Sequence, residues 1–281
     1  MTVKLPDLIL EPIIRAALME DLGQFGDVTT RAVVPDGLEY SARMVSREAG
    51  RVSGMQVARL AFGLVEPALA IDVRIPDGEN CAVGDVLMTV TGSAASILAG
   101  ERVALNFAGR MAGIATMTAA FVEQTRGTTA RITCTRKTTP GLRIVEKQAV
   151  LHGGGSSHRF SLSDAILIKD NHIAAAGGIA QVLTAVKENA SHMVRVEIEV
   201  DRLDQLEEVL ACRGADVVLL DNMDTATLAE AVQMVGDKIV TEASGNMSLE
   251  RVAEVAATGV GYISVGALTH SSKVLDLGLD F

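Results

Sequence analysis

The sequence predicts an α/β protein in two parts, a small sheet-containing domain followed by a parallel βα architecture. Three observations carry this expectation. Residues 40–92 run in short apolar stretches broken by turn residues, among them Pro76-Asp77-Gly78 and Gly84-Asp85, as the strands of a small sheet do. From residue 131 onward, β-rich segments alternate with helical ones, the mark of repeated βα units and a parallel sheet, doubly wound or closed into a barrel. Those β-rich segments also end in charged or small polar residues: Lys169, Glu199, Asp221, Glu242 with Ser244, then Ser264 and Gly266. Parallel strands bring their carboxyl ends to one rim, so these side chains should converge there.

Each element has a local reason. Residues 93–124 are alanine-rich, lack proline and repeat apolar residues at helical spacing, which predicts one or two helices. Gly100, Gly109 and Gly113 speak against one unbroken helix, since an interior glycine costs about 1 kcal/mol relative to alanine. The strands are expected at "DAILIKD" (164–170), "VRVEIEVD" (194–201), "ADVVLLDN" (215–222), "KIVTEASG" (238–245) and "GYISVGAL" (261–268), with helices such as "LDQLEEVLAC" and "LERVAEVAAT" between them. In "VRVEIEVD", Val194, Val196, Ile198 and Val200 face one way and Arg195, Glu197, Glu199 and Asp201 the other, because side chains alternate along a strand. A strand with one polar face suits a barrel lumen or mouth better than the doubly covered centre of an open sheet.

Composition narrows the function. The chain carries a net charge of −10, yet from Arg131 to Ile173 it sets Arg131, Arg136, Lys137, Arg143, Lys147, Arg159 and Lys169 against only Glu146, Asp164 and Asp170. That stretch is +4 and the remainder −14. With 3% aromatic residues and no tryptophan, a nucleic-acid surface is not expected, so the cations point to a small anionic ligand. No apolar run of membrane-spanning length appears, and the first residues carry charges where a signal peptide needs an apolar core, so a cytoplasmic protein without membrane contact is expected. Cys81, Cys134 and Cys212 are widely spaced and suggest neither a disulfide framework nor a zinc site.

Several constellations carry chemistry. The connections "EASGNMSLERV" and "SVGALTHSSKV" are rich in Gly and Ser, and such loops after late barrel strands bind phosphate through close backbone N–H groups; Ser248 also reads as an ordinary helix N-cap. Glu199 and Asp221 end neighbouring strands and suit a Mg²⁺ ion carried by a polyphosphate, or serve as counter-ions to Lys169. His158, His172 and His270 lie near the basic or Gly/Ser segments, but no HExxH or comparable spacing exists, so no histidine-bound transition metal is expected. A second enzyme reading makes Lys169 the Schiff-base lysine of a barrel aldolase.

In order and spacing, "ERVALN" (101–106), "TRKTTPGLR" (135–143), "EKQAVLHGGGSSHR" (146–159), "LSDAILIKDNHI" (162–173), "EIEVD" (197–201), "VVLLDN" (217–222), "EASGN" (242–246) and "ISVGALTHS" (263–271) resemble the quinolinate phosphoribosyltransferase family. The resemblance covers nearly the whole chain, and TRKTTPGLR with IKDNH is its most specific part. It implies a small N-terminal α/β sandwich domain over residues 1–113, to which the tail 269–281 returns, and an incomplete TIM-like α/β barrel over 114–268. It also implies a homodimer with shared active sites, and transfer of the phosphoribosyl group of 5-phosphoribosyl 1-diphosphate (PRPP) to quinolinate, giving nicotinate mononucleotide, pyrophosphate and carbon dioxide. By the same resemblance, Arg136, His158 and Arg159 bind the quinolinate carboxylates and Arg102 comes from the partner subunit. Lys137 and Lys169 face substrate and pyrophosphate, Glu199 and Asp221 the ribose and its Mg²⁺, and Ser244-Gly245 and Gly266-Ala267 the 5′-phosphate.

The chain departs from the family pattern at Ser157, Ser163, Asn246 (in place of a second glycine) and an inserted Phe25. A molybdenum-transport accessory protein of the same fold, ModD, is the alternative from another class. It predicts erosion of TRKTTPGLR and IKDNH, and both are intact in this sequence.

Overall fold

The computed structural model describes residues 4–281. In chain order the first half holds α1 (Asp7–Leu22), α2 (Val28–Val33), β1 (Glu39–Ser46), β2 (Gly50–Arg51), α3 (Met55–Val65), β3 (Ala70–Val73), β4 (Asn80–Cys81), β5 (Val86–Ser93) and α4 (Ala94–Gln124). There follow β6 (Arg131–Thr133), α5 (Arg143–His152), β7 (Ile166–Ile168), α6 (Asp170–Ala176), α7 (Ile179–Asn189), β8 (Val196–Val200) and α8 (Leu203–Cys212). The chain closes with β9 (Val217–Asp221), α9 (Thr225–Val235), β10 (Val240–Ser244), α10 (Leu249–Ala257), β11 (Tyr262–Ser264), α11 (Ala267–His270) and β12 (Leu277–Asp280). Two compact units form. The first takes the chain through Ala119 together with Thr138–Gly154 and Leu268–Phe281; the second takes Ala120–Lys137 and Gly155–Ala267.

The first unit is built on a four-stranded antiparallel sheet in the order β12-β1-β5-β3. Helix α3 buries Met55, Val57, Ala58, Ala61 and Phe62, while α1 buries Leu10, Ile14 and Leu18 at a spacing of four, which puts one apolar stripe inward. Asp77 caps α3, accepting from Met55 N–H at 2.8 Å and Gln56 N–H at 3.3 Å. Asp7 of α1 pairs with Arg59 of α3 at 2.6 Å. His152 is buried with Nδ1 2.8 Å from Ser53 Oγ and Nε2 2.9 Å from Gln148 Nε2. Burial pushes its pKa down, against the pull of Asp77.

Of the one or two helices the sequence allowed, the structure has one: α4 runs unbroken for 31 residues despite its glycines. Its glycines mark close approaches. A Cβ on Gly109 would stand 2.9 Å from Leu275 O, and one on Gly113 would stand 1.8 Å from Lys273 O. Leu275 N–H donates to Gly109 O at 3.0 Å, so the returning tail is bonded to the helix where the side chain is missing. Contacts with this distant part of the chain outweigh the local cost of the glycines.

The second unit is a six-stranded, wholly parallel sheet in the order β6-β11-β10-β9-β8-β7. Among the described residues β6 and β7 do not pair, so the barrel is incomplete. Beyond β6 the sheet is extended by a parallel bridge from Thr133 to Ser156, with Ser156 N–H donating to Ile132 O at 2.7 Å. This brings the segment leading to His158 and Arg159 alongside the end of β6. The outer faces of the strands are covered by helices with buried stripes: Val182 and Leu183 on α7, Leu206 and Val209 on α8, Leu228, Ala231 and Val235 on α9, Val252 and Val255 on α10. The strands span three to five residues, shorter than the apolar pattern suggests, and the three residues of β6 carry no pattern of their own.

Candidate active site

The carboxyl ends of the parallel strands supply the site. Lys169 follows β7 directly, Glu199 is the fourth of the five residues of β8, Asp221 ends β9 and Ser244 ends β10. Lys169 Nζ lies 2.6 Å from Glu199 Oε2, with the lysine half exposed and the carboxylate largely shielded. Asp221 Oδ2 accepts from Asn222 Nδ2 at 2.7 Å. Two carboxylates on neighbouring strands therefore face the same rim, each already held by one donor.

Deeper in the lumen a second cluster forms. His158 Nε2 lies 3.0 Å from Glu197 Oε2 and 3.6 Å from Glu242 Oε1, and both glutamates are buried. Glu197 precedes Glu199 by two residues on β8, and Glu242 precedes Ser244 by two on β10. The period of two therefore puts each on the lumen face below the rim residue. Glu242, expected among the strand-end residues, lies inside β10 two residues before its end, and Glu197, expected only on the polar face of β8, joins it.

Arg159 donates from Nη1 to Ala165 O at 3.0 Å. Its Nε, like that of Arg136, is buried and makes no hydrogen bond among the described residues. Burial pushes the Arg159 pKa down, with the Arg136 charge adding to the effect and Glu197 and Asp164 opposing it. Two half-buried guanidinium groups that repel each other, each with an Nε–H left without a partner, have the fork geometry that suits an anion. Asp164 shapes the turn after Arg159, accepting from Phe160 N–H at 2.6 Å and Ser161 N–H at 3.0 Å. Ser163 Oγ and Ser157 Oγ are engaged locally, with Ser161 Oγ and His158 O.

The Gly/Ser loops lie at the same rim. Gly245 has φ of +97°, and a Cβ there would meet Asn222 Oδ1 at 2.1 Å, so only glycine fits between the β9 and β10 loops. Ser264 Oγ bonds Ala243 O at 3.3 Å, and Gly266 and Ala267 follow β11 into α11.

Not every cation of the basic stretch joins this rim. Arg131 starts β6, at the amino end, with its guanidinium 5.7 Å from the centre of the Tyr262 ring. Arg143 and Lys147 belong to α5 of the first unit, where Lys147 is 3% exposed. Arg136, Lys137, Arg159 and Lys169 remain in the second unit, Lys137 exposed. Arg102 lies on α4 in the first unit, 63% exposed and 3.8 Å from Glu101. His172 accepts at Nδ1 from Lys169 N–H at 2.9 Å and so caps α6, while His270 is exposed beside Ser271 Oγ at 2.6 Å. A recess of ≈ 620 Å³ at the amino ends of the strands, lined by Arg131, Arg195, Asp216 and Tyr262, holds none of the rim residues.

A parallel barrel with polar residues gathered at the carboxyl ends of its strands and phosphate-type loops after the late ones defines the class: an α/β-barrel enzyme acting on small anionic substrates. The particular family follows from likeness to known proteins. The profile of the quinolinate phosphoribosyl transferase C-terminal domain matches residues 114–280, and that of its N-terminal domain residues 27–112. The chain belongs to the quinolinate phosphoribosyltransferase family. It is 42% identical to quinolinate phosphoribosyltransferase [decarboxylating] 1b of Nicotiana tabacum, over 98% of this chain and 83% of that one. It is 44% identical to nicotinate-nucleotide pyrophosphorylase [carboxylating] of Mycobacterium leprae, over 95% of each. A crystal structure of NadC from Streptococcus pyogenes superposes with a TM-score of 0.95 at 36% identity, covering 99% of this chain and 98% of that one. Relatives so named support neither the molybdenum-transport alternative nor an aldolase.

Proposed function

We propose that the chain transfers the phosphoribosyl group of PRPP to quinolinate with decarboxylation, yielding nicotinate mononucleotide for de novo NAD synthesis. The observation that carries this reading is the buried pair of unsatisfied guanidinium donors, Arg136 Nε and Arg159 Nε, in the same unit as Lys169, Glu199 and Asp221. Quinolinate is a dianion, and its two carboxylates are taken by Arg136, Arg159 and His158. The 5′-phosphate of PRPP lies against the backbone N–H groups of Ser244-Gly245 and Gly266-Ala267.

With both substrates held, the ring nitrogen of quinolinate attacks C1 of the ribose, and the bond to the pyrophosphate oxygen breaks with its electron pair leaving on pyrophosphate. Positive charge that builds on the ribose is met by Glu199 and Asp221, and the departing anion by Lys137 and Lys169. The now positively charged ring accepts the electrons of the C–C bond as carbon dioxide leaves, and the ring carbon then takes a proton from water. Until the nitrogen is alkylated, cation pairing of the 2-carboxylate restrains that loss.

Glu199 and Asp221 offer hard oxygen donors of the kind Mg²⁺ takes, yet one is tied to Lys169 and the other to Asn222. That donor set fits an ion brought in on the diphosphate, held by two carboxylates in addition, rather than a dedicated cage. Bound Mg²⁺ supplies charge neutralisation to the leaving pyrophosphate.

The working assembly in this reading is a homodimer in the cytoplasm, with Arg102 reaching the partner's site. No helix among the described residues is long and apolar enough to cross a membrane. Mixing inactive Arg102→Ala with inactive Lys169→Ala subunits should restore part of the activity, because one of the two sites in a heterodimer then carries both intact residues. No recovery in heterodimers verified by mass spectrometry removes Arg102 from a shared site.

The reaction itself is tested with quinolinate labelled at the 2-carboxyl group. Release of labelled carbon dioxide that needs both PRPP and Mg²⁺, matched by equal nicotinate mononucleotide, is the expected result. No release from folded protein rejects the reading.

A further inference from the structure

Arg251, in the first turn of α10, reaches back over two loops of the rim. Its Nη2 donates to Met223 O at 2.6 Å, in the loop after β9, and its Nη1 to Gly245 O at 2.9 Å, in the loop after β10. The same two loops are joined directly by Asn222 N–H donating to Ser244 O at 3.0 Å. Each loop holds an asparagine in the left-handed region, Asn222 at φ +54° and Asn246 at φ +47°. Asparagine tolerates that region, at single turn positions, better than other side-chain-bearing residues. Gly245 cannot carry a side chain at its approach to Asn222, so nothing on the glycine itself can hold the two loops in register. The guanidinium fork does so from outside, with one N–H arm for each carbonyl.

We propose that Arg251 is a positioning residue for the phosphoribosyl end of the site. By fixing the Met223 and Gly245 carbonyls it sets Asp221, through its neighbour Asn222, against the Ser244-Gly245 turn. It touches no substrate. Asp224, which follows Met223 in the same loop, caps α9 by accepting from Thr227 N–H at 2.8 Å, so the loop that Arg251 grips leads directly into that helix. The inference rests on the proposed reaction for its kinetic consequence, and on geometry alone for its structural one.

The kinetic consequence is a split between substrates. In Arg251→Met, which keeps the apolar stem and removes the fork, the KM for PRPP should rise about tenfold or more, as expected for losing two charge-assisted bonds. The KM for quinolinate should stay within about twofold, because Arg136, His158 and Arg159 are held by other elements. Arg251→Lys should recover part of the loss, since an ammonium group serves one carbonyl where the fork serves two. An equal rise in both KM values, or none in either, overturns the proposal.

Hydrogen exchange measured by mass spectrometry on the same variants decides the brace independently of turnover. Faster exchange confined to peptides covering residues 221–224 and 244–247 of Arg251→Met is the expected result. Unchanged exchange there, or exchange raised throughout the barrel, overturns the proposal. A wild-type protein without phosphoribosyl transfer would reject the functional reading and leave this second measurement to decide the brace.

Discussion

Arg159→Ala should lower kcat/KM for quinolinate by about two to three orders of magnitude, almost wholly through KM, while the KM for PRPP should stay near its wild-type value. The size follows from what is lost. Arg159 is partly buried beside Arg136, its Nε has no partner within the described residues, and truncating its half of the charge pair it makes with a bound carboxylate should cost about 2–5 kcal/mol. The Arg159 Nε is already shielded from water without a protein partner, so a carboxylate that reaches the guanidinium restores an interaction the free protein lacks. The fold should tolerate the change, because the one charge-assisted hydrogen bond lost, from this side chain to Ala165 O, is worth about 1.5–3 kcal/mol. Steady-state kinetics with each substrate varied separately, together with a melting curve, makes the measurement. Quinolinate kinetics left unchanged in a folded variant would remove Arg159 from the site. Arg159→Lys should restore little, since a point charge cannot make the bidentate contact of a fork.

Gly113→Ala should be the most damaging methyl addition in the first unit. The new Cβ would stand 1.8 Å from Lys273 O, 2.9 Å from Lys273 C and 3.2 Å from Leu275 N, all of them backbone. No side chain can swing aside, so the strand that follows must move, and β12 is hydrogen bonded along β1 from Arg43–Asp280 to Ser46–Leu277. Overpacking of this kind costs about 1–3 kcal/mol and occasionally more, and at this closeness the upper end applies, a fall in Tm of about 5–10 °C for a chain of this size. Gly63→Ala is the control. It lies inside α3 with nothing within 4 Å of the added carbon, so the higher helix propensity of alanine should leave it neutral or more stable by up to about 1 kcal/mol. Equal melting temperatures for the two variants would mean that the tail yields to α4 at no cost.

Much of this molecule is legible in one dimension. The alternation of "VRVEIEVD", the polar residues that close successive strands and the repeat of strand and helix are local features, and geometry turns them into a parallel sheet with one reactive rim whatever the details of packing. Lys169, Glu199, Asp221 and Ser244 could be placed at that rim because each sits at or beside the end of its own strand.

Tertiary structure decided the rest, wherever the answer depends on a partner distant in the chain. Charge density along the sequence is not charge density in space, so Arg131 went to the amino end of β6, and Arg143 and Lys147 to a helix of the first unit. Three glycines that weaken a helix locally are accommodated in one unbroken helix because residues 109 and 113 meet the backbone of residues 273–275. The pairing of His158 with Glu197 and Glu242, and the grip of Arg251 on Met223 and Gly245, join residues that no spacing rule connects. Sequence by itself determined which residues lie on which face and end of each element, because backbone geometry has short periods. Which of those residues meet depended on how the elements close on one another, and that is settled by packing and by the hydrogen bonds that buried polar groups must find.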